Sequence, residues 1–279
     1  MNIAVVIPSF YEKDGEYLKL CVESLRTTTD WQIIVVTNGT KDKPNLNHIK
    51  GISVHLHTSQ QGQCNAVNIG VQLVTPNTDY IMVSNSDMYY APGWNKNLRF
   101  NYPVFSPNLI EPENNVGSAP PFKKLAGGFT IEEFDREKVN QGIKDLMIPA
   151  NLDLEPREET GFNLPFFIRK DVWETIGGYD IKYDPWGSNS DTDLQTKINL
   201  AGVTPMRLRD VLVYHFSNKS GTFDGTHQEE WQKNFDYYQG KWGYTRDDEP
   251  QADVWYNKNM ILPDKLKYHP KWEGRYDKS

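Results

Sequence analysis

Three short, nearly unbroken apolar runs, Ile3 to Ile7, Trp31 to Val36 and Tyr80 to Ser84, each stop abruptly at polar residues, and the stretches between two of them show helical spacing. A strand that is apolar at every position needs cover on both faces, as in a parallel sheet flanked by helices. Glu16 to Thr28 supplies one such helix, with Leu18, Cys21, Val22 and Leu25 on one stripe. Gln63 to Val74 supplies another, carrying Ala66, Val67, Ile69, Gly70 and Leu73 and stopped by Pro76. A weaker strand is expected over Ile52 to Leu56. This alternation predicts an α/β fold with a doubly wound, mostly parallel sheet and right-handed crossovers.

The pattern breaks between Asn101 and Leu164 into segments bearing Pro, Asn and Gly. An insert that long without structure would be unusual, so short helices near Ile131 to Lys138 and a functional loop are expected. Regularity returns with a strand at Pro165 to Ile168, a helix Lys170 to Ile176 closed by Gly177-Gly178, and a helix Asp191 to Leu200 closed by Gly202. A strand over Val211 to Tyr214 ends in His215. A helix over about His227 to Trp242 then leads into an aromatic, turn-rich tail.

Bulk properties exclude several classes. No run of about 18 apolar residues exists, so a membrane-spanning helix is not expected. The chain enters its first strand at once, with no basic leader or small-residue cleavage site, and its two cysteines, Cys21 and Cys64, fall in expected helices. Both features predict a cytoplasmic protein without disulfides. A formal charge of −7 and the lack of a basic stripe oppose nucleic-acid binding.

In an open α/β sheet, ligands bind outside the carboxyl ends of the strands. The first strand-to-helix turn has neither the glycine fingerprint of dinucleotide-binding folds nor a phosphate-binding P-loop. The strand ends offer instead Ser9, Tyr11 and Glu12 after Pro8, then Thr37 and Asn38, then Asn85, Ser86 and Asp87. Hydroxyls, amides, an aromatic face and a carboxylate can hold a nucleoside and, through Mg²⁺ or Mn²⁺, its diphosphate. A second cluster runs from Trp186-Gly187 to Asp191 and Asp193. Asp191, at a helix start, can serve as general base for a hydroxyl. Ser190 and Asp193 have the spacing of a capping box. His215 at a strand end can join a carboxylate around a cation. Each residue also has a plainer role open to it. Asp87 can cap a turn, Asp191 can favour a helix dipole, His215 can be a satisfied structural group, and Trp186 can be core rather than a sugar platform.

The order of these pieces resembles the inverting glycosyltransferases of family 2, which have the GT-A fold. The pieces are the opening Ile7-Pro8-Ser9-Phe10, the strand end Val35 to Asp42, Gly62-x-x-Asn65-x-x-Asn68-x-Gly70, Asn85-Ser86-Asp87, Ile168 to Asp180, Asp191-x-Asp193-Leu194 and the strand ending at His215. Trp186-Gly187 is similar to the acceptor-side motif of GT-A galactosyltransferases. The resemblance implies a nucleotide-sugar-binding half over residues 1–100, an acceptor-side and catalytic half over 101–221, and a C-terminal helix and tail over 222–279. It implies that Asp87 and His215 bind Mn²⁺ or Mg²⁺, and that Pro8, Ser9, Tyr11, Glu12, Thr37, Asn38, Asn68, Asn85 and Ser86 bind the nucleotide sugar. It further implies that Trp186 and Gly187 face the acceptor and that Asp191 is the base. Asn85 replaces the first acid of the family's Asp-x-Asp. Thr37 stands where many members read uracil with Asp, which leaves UDP or another nucleotide open. The implied activity is transfer of a sugar, with inversion, from a nucleoside-diphosphate sugar to a glycan, lipid-linked or small-molecule acceptor. Surface-glycan assembly, in the cytoplasm or at the inner membrane face, is the expected setting. The rival readings are a sugar-nucleotide nucleotidyltransferase and a carbohydrate-binding descendant of the enzyme.

Overall fold

A computed structural model of the chain describes residues 1–113, 123–147, 156–158, 164–219 and 226–242. Among them the strands are β1 (Ile3–Ser9), β2 (Gln32–Asn38), β3 (Val54–Thr58), β4 (Tyr80–Val83), β5 (Met88–Tyr89), β6 (Val104–Pro112), β7 (Lys123–Leu125), β8 (Arg157–Glu158), β9 (Phe166–Arg169) and β10 (Met206–His215). The helices are α1 (Tyr11–Thr28), α2 (Gln63–Val71), α3 (Arg136–Leu146), α4 (Lys170–Ile176), α5 (Ser190–Leu200) and α6 (Gln228–Trp242). The expected tail after Trp242 lies outside the described residues.

One sheet runs through both halves of the chain in the order β3-β2-β1-β4-β9-β6-β10-β5. The pairings among β3, β2, β1 and β4 are all parallel, as is β6 with β10. β9 is antiparallel to both β4 and β6, so it joins two parallel blocks that point the same way. The carboxyl ends of β1, β2, β4, β6 and β10 therefore share one edge. Along β1 the alternate residues separate cleanly: Ile3, Val5 and Ile7 pack under α1, whereas Val6 faces α2 and the cluster that α4, α5 and α6 complete. That two-sided burial is the arrangement expected for strands apolar at every position.

Several expectations from the sequence are corrected. The first is β6, a nine-residue strand buried at every position in the middle of the sheet, where the broken pattern pointed to loop. Ser106, Pro107 and Asn108 disguise it. A proline is tolerated where a ladder hydrogen bond is missing anyway, and the β6–β10 register jumps between Leu208 and Leu212, just where Pro107 gives way to Asn108. Arg99 holds the resulting bulge through a two-pronged contact with Asp210, Nη1 to Oδ1 at 3.0 Å and Nη2 to Oδ2 at 2.5 Å. The short helix expected near Ile131 to Lys138 begins later, at Arg136, where Asp135 caps Lys138 N.

The second is the start of α1. Residues Tyr11 to Gly15 form its first turn, ahead of the start expected at Glu16. Gly15 fits because a Cβ there would meet the Tyr11 ring at 2.9 Å. The turn turns Asp14 inward, where it is buried.

Candidate active site

Asp14 organises one end of the sheet edge. Its carboxylate accepts Ser9 Oγ at 2.5 Å, Ser86 Oγ at 2.5 Å and Phe10 N at 3.1 Å. Burial pushes its pKa up to about 6 against the pull of these bonds. The turns after β1 and β4 are thereby fastened together next to Asp87. Asn38 adds a third turn, donating from Nδ2 to Ser9 O at 3.0 Å and accepting Gly62 N at 3.1 Å. Pro8 and Ser9 are buried in β1, Tyr11 is half-buried with its hydroxyl 3.4 Å from His48 Nε2, and Glu12 is exposed. The Thr37 hydroxyl sits between two imidazoles, 2.9 Å from His55 Nε2 and 3.1 Å from His57 Nδ1. Burial depresses His55 to about 4, helped by Lys43, so a neutral ring stands beside Thr37. Asn85 is half-buried, and its carbonyl accepts Ser84 Oγ at 2.9 Å.

Asp87 and His215, far apart in sequence, meet at this edge. His215 Nε2 lies 3.4 Å from Asp87 Oδ1, and its Nδ1 lies 3.2 Å from Glu111 Oε1. Lys219 N donates to Asp87 Oδ2 at 3.2 Å. Burial alone would lower the His215 pKa, but the two carboxylates outweigh it and raise it to about 9. Burial likewise pushes Asp87 up, and the imidazolium and nearby amides bring it below the usual carboxylate range. Among the described residues no three His, Cys, Asp or Glu side chains are poised to hold an ion by themselves. The donor set still fits a divalent cation that keeps water or phosphate ligands: a carboxylate and an imidazole face each other, and Glu111 can accept the Nδ1 proton and orient the ring. A cation there would displace the Nε2 proton, so its binding should strengthen with rising pH. Glu111 escaped the sequence analysis because β6 did.

The Asp191 side is assembled on the other face of the sheet. Tyr179 OH donates to Asp191 Oδ1 at 2.8 Å, and burial raises Asp191 to about 6 with that bond holding it down. Asn68 spends its whole amide on Tyr179, Nδ2 to Tyr179 O at 2.8 Å and Tyr179 N to Oδ1 at 2.9 Å. Its observed contacts thus place the tyrosine under Asp191. Asp184 accepts Cys64 N at 3.0 Å and Asn65 N at 2.8 Å at the start of α2. Since α2 begins beyond the carboxyl end of β3, this bond brings the 179–191 segment to the same edge as Asp87. Gly62 makes the approach possible, for a Cβ there would sit 2.0 Å from Asp184 Cγ.

Trp186 stacks on His227 with ring centroids 3.3 Å apart and planes at 17°. Gly187, at φ 70°, turns its carbonyl to Ser190, accepting N at 3.0 Å and Oγ at 2.5 Å. Ser190 Oγ is thus engaged away from the helix, and the capping box expected with Asp193 does not form. Asp193 instead points into the core. Its Oδ1 meets Lys241 Nζ at 2.7 Å and Trp242 Nε1 at 3.0 Å, and its Oδ2 faces Lys197 Nζ at 3.3 Å as an ion pair rather than an aligned hydrogen bond. Asp180 accepts from Lys241 at 2.7 Å and Tyr237 at 2.8 Å. The buried charges fasten α6 to α5.

If Asp191 works as a base it must be ionised, so activity is present above about pH 6 and is lost as pH falls through that value. Tyr179→Phe removes the bond that lowers the Asp191 pKa, and the acidic limb of the kcat profile should move to higher pH. An unmoved limb would separate Tyr179 from the chemistry.

Solved structures share this architecture. S. aureus TarS, residues 1–349, superposes with a TM-score of 0.51 at 11% identity over 86% of this chain and 73% of its own. GalNAc-T7, crystallised with UDP, GalNAc and Mn²⁺, gives 0.53 at 16% identity over 98% of this chain, which spans 56% of that longer one. The TarS complex with UDP-GlcNAc gives 0.50 at 12% identity over 89% of this chain and 74% of its own. Identities this low speak for the fold alone, and no curated protein matches the sequence. The architecture is the GT-A fold of nucleotide-sugar glycosyltransferases. The model of glycosyl transferase family 2 matches residues 4–99, from β1 through β5. Among the described residues no helix is long and apolar enough to cross a membrane.

Proposed function

We propose that the protein moves a sugar from a nucleoside-diphosphate sugar to an acceptor hydroxyl with inversion at the anomeric carbon. The observation that carries this reading is the convergence of Asp87 with His215 and of Asp191 with Tyr179 on one carboxyl edge of a family 2 scaffold. Ser9, Tyr11, Thr37 and Asn38 line the strand ends where the nucleoside would lie. Asn85 and Ser86 lead to its phosphates. Asp87 and His215 would hold Mn²⁺ or Mg²⁺, which would supply positive charge to a diphosphate leaving group. Asp191 Oδ2, the oxygen not taken by Tyr179, removes the acceptor's proton as that oxygen attacks the anomeric carbon and the bond to diphosphate breaks. TarS has been crystallised with UDP-GlcNAc and GalNAc-T7 with UDP and Mn²⁺; Thr37 between His55 and His57 leaves the base open here. The acceptor is read as a glycan or lipid-linked saccharide of surface-polysaccharide synthesis, reached in the cytoplasm or at the inner membrane face.

The test is nucleoside-diphosphate release from a panel of sugar nucleotides with and without Mn²⁺, followed by NMR of the product's anomeric centre. Release without retained configuration supports the reading; binding without turnover supports a sugar-binding descendant instead. Glu111→Gln, which weakens the acceptor of the His215 Nδ1 proton, should raise the Mn²⁺ concentration for half activity about 10- to 100-fold. An unchanged titration would remove His215 and Glu111 from the cation site.

A further inference from the structure

The start of α6 carries Gln228, Trp231, Gln232 and Phe235 at i, i+3, i+4 and i+7, which places them on one stripe. This stripe borders the one that buries Asn234, Tyr238 and Lys241 against the body. It does not close over the loop before α5. A cavity of about 350 Å³ remains between these four residues and Ser188 and Asn189. The wall is pinned, since Asn234 Nδ2 donates to Tyr183 O at 2.9 Å and to Ser188 Oγ at 3.2 Å.

Resting on the glycosyl-transfer reading, we infer that this cavity is a subsite for an uncharged sugar ring of the acceptor glycan. Its lining holds two aromatic rings, three carboxamides and a hydroxyl, and no ionisable group, in a chain that is 24% charged. Aromatic faces cover the C–H face of a pyranose, and carboxamides both donate to and accept from its hydroxyls. A phosphate, uronate or ammonium ligand would find no opposite charge among the side chains that line it. Place in the chain points the same way. Ser188 and Asn189 run directly into Ser190 and Asp191, so one wall of the cavity lies within three residues of the proposed base. The nucleotide residues Ser9, Thr37 and Asp87 lie on other turns.

The Trp231 indole N–H signal in a ¹H–¹⁵N spectrum of the full chain reports directly on this cavity. Titration with the methyl glycosides of glucose, galactose and N-acetylglucosamine should shift it saturably for at least one, and the corresponding uronic acid should bind more than tenfold more weakly. Gln232 Nε2 donates to Asp236 Oδ1 at 2.8 Å, which leaves its Oε1 to accept a sugar hydroxyl; Gln232→Ala, at an exposed position, should weaken the response about fivefold through that one lost hydrogen bond, and Phe235→Ala about tenfold, with sugar-nucleotide affinity unchanged. No shift with any neutral glycoside, equal binding of the uronate, or an unaltered response in Gln232→Ala would each overturn the subsite. So would a dimer in sedimentation that Trp231→Glu converts to monomer, since the stripe would then be a contact between copies. Sugar-nucleotide turnover decides the underlying reading separately: turnover without a Trp231 response removes only the subsite. A Trp231 response in a protein without turnover keeps the subsite and removes the transferase.

Discussion

Asp191→Asn is expected to lower turnover by about 10²- to 10⁴-fold, the usual contribution of general-base catalysis, while the sugar nucleotide binds as before. The substitution keeps the shape of the side chain and an oxygen for Tyr179 OH, now 2.8 Å from Oδ1. It also removes a carboxylate that burial already holds up at about 6, so folding loses little. Steady-state kinetics with donor affinity measured alongside would check it. Turnover within a few-fold of the parent would take the base role away from Asp191.

Two residues further along the same helix the opposite outcome is expected. Asp193→Ala should destabilise the fold by about 3–5 kcal/mol, because breaking a buried ion pair from one side leaves uncompensated charge. Lys197 and Lys241 both face Asp193, whose side chain is 1% exposed, as against 4% and 5% for the two lysines. Asp180 retains Lys241 at 2.7 Å and Gly178 O retains Lys197 at 2.6 Å, so the loss stays within that range rather than above it. Against a typical total of about 5–15 kcal/mol, most molecules could still fold at low temperature. Urea unfolding should show a lower midpoint at unchanged slope. A midpoint equal to the parent's would show that the cluster contributes nothing net. The pair of variants thus separates chemistry from architecture within one turn of α5.

What could be read from the residues alone followed from periodicity. β1, β2 and β4 are apolar at almost every position, and α4 and α5 carry their own glycine stops, so their bounds were legible to within a residue or two. β6 was not, because Ser106, Asn108 and Glu111 break its apolar run and Pro107 is excluded from most central strands; tertiary packing overrides both signals. α1 lost its first turn to Gly15 and three charged neighbours, and with it the role of Asp14. The site shows the same division. Residues ending legible strands, Ser9, Thr37, Asn38, Asp87 and His215, were named as candidates. Those that hold them in place, Asp14, Glu111, Tyr179 and Asp184, were not, since nothing in local spacing tells a buried carboxylate from a solvated one. The capping role open to Asp193 failed for a related reason: Lys241 and Trp242, about fifty positions away, outcompete the local backbone.

The bond from Asp184 to the first amides of α2 bears on how chains of this fold can be recombined. A hybrid that kept residues 1–100 and took its later segment from a relative would need an oxygen acceptor where Asp184 stands, or Cys64 and Asn65 would be left with idle N–H groups. It would equally need to retain Gly62, because any larger residue occupies the space through which that acceptor arrives. Position 62 and position 184 should therefore be inherited as a matched set, and exchange of specificity between relatives is constrained at that seam before any substrate is met.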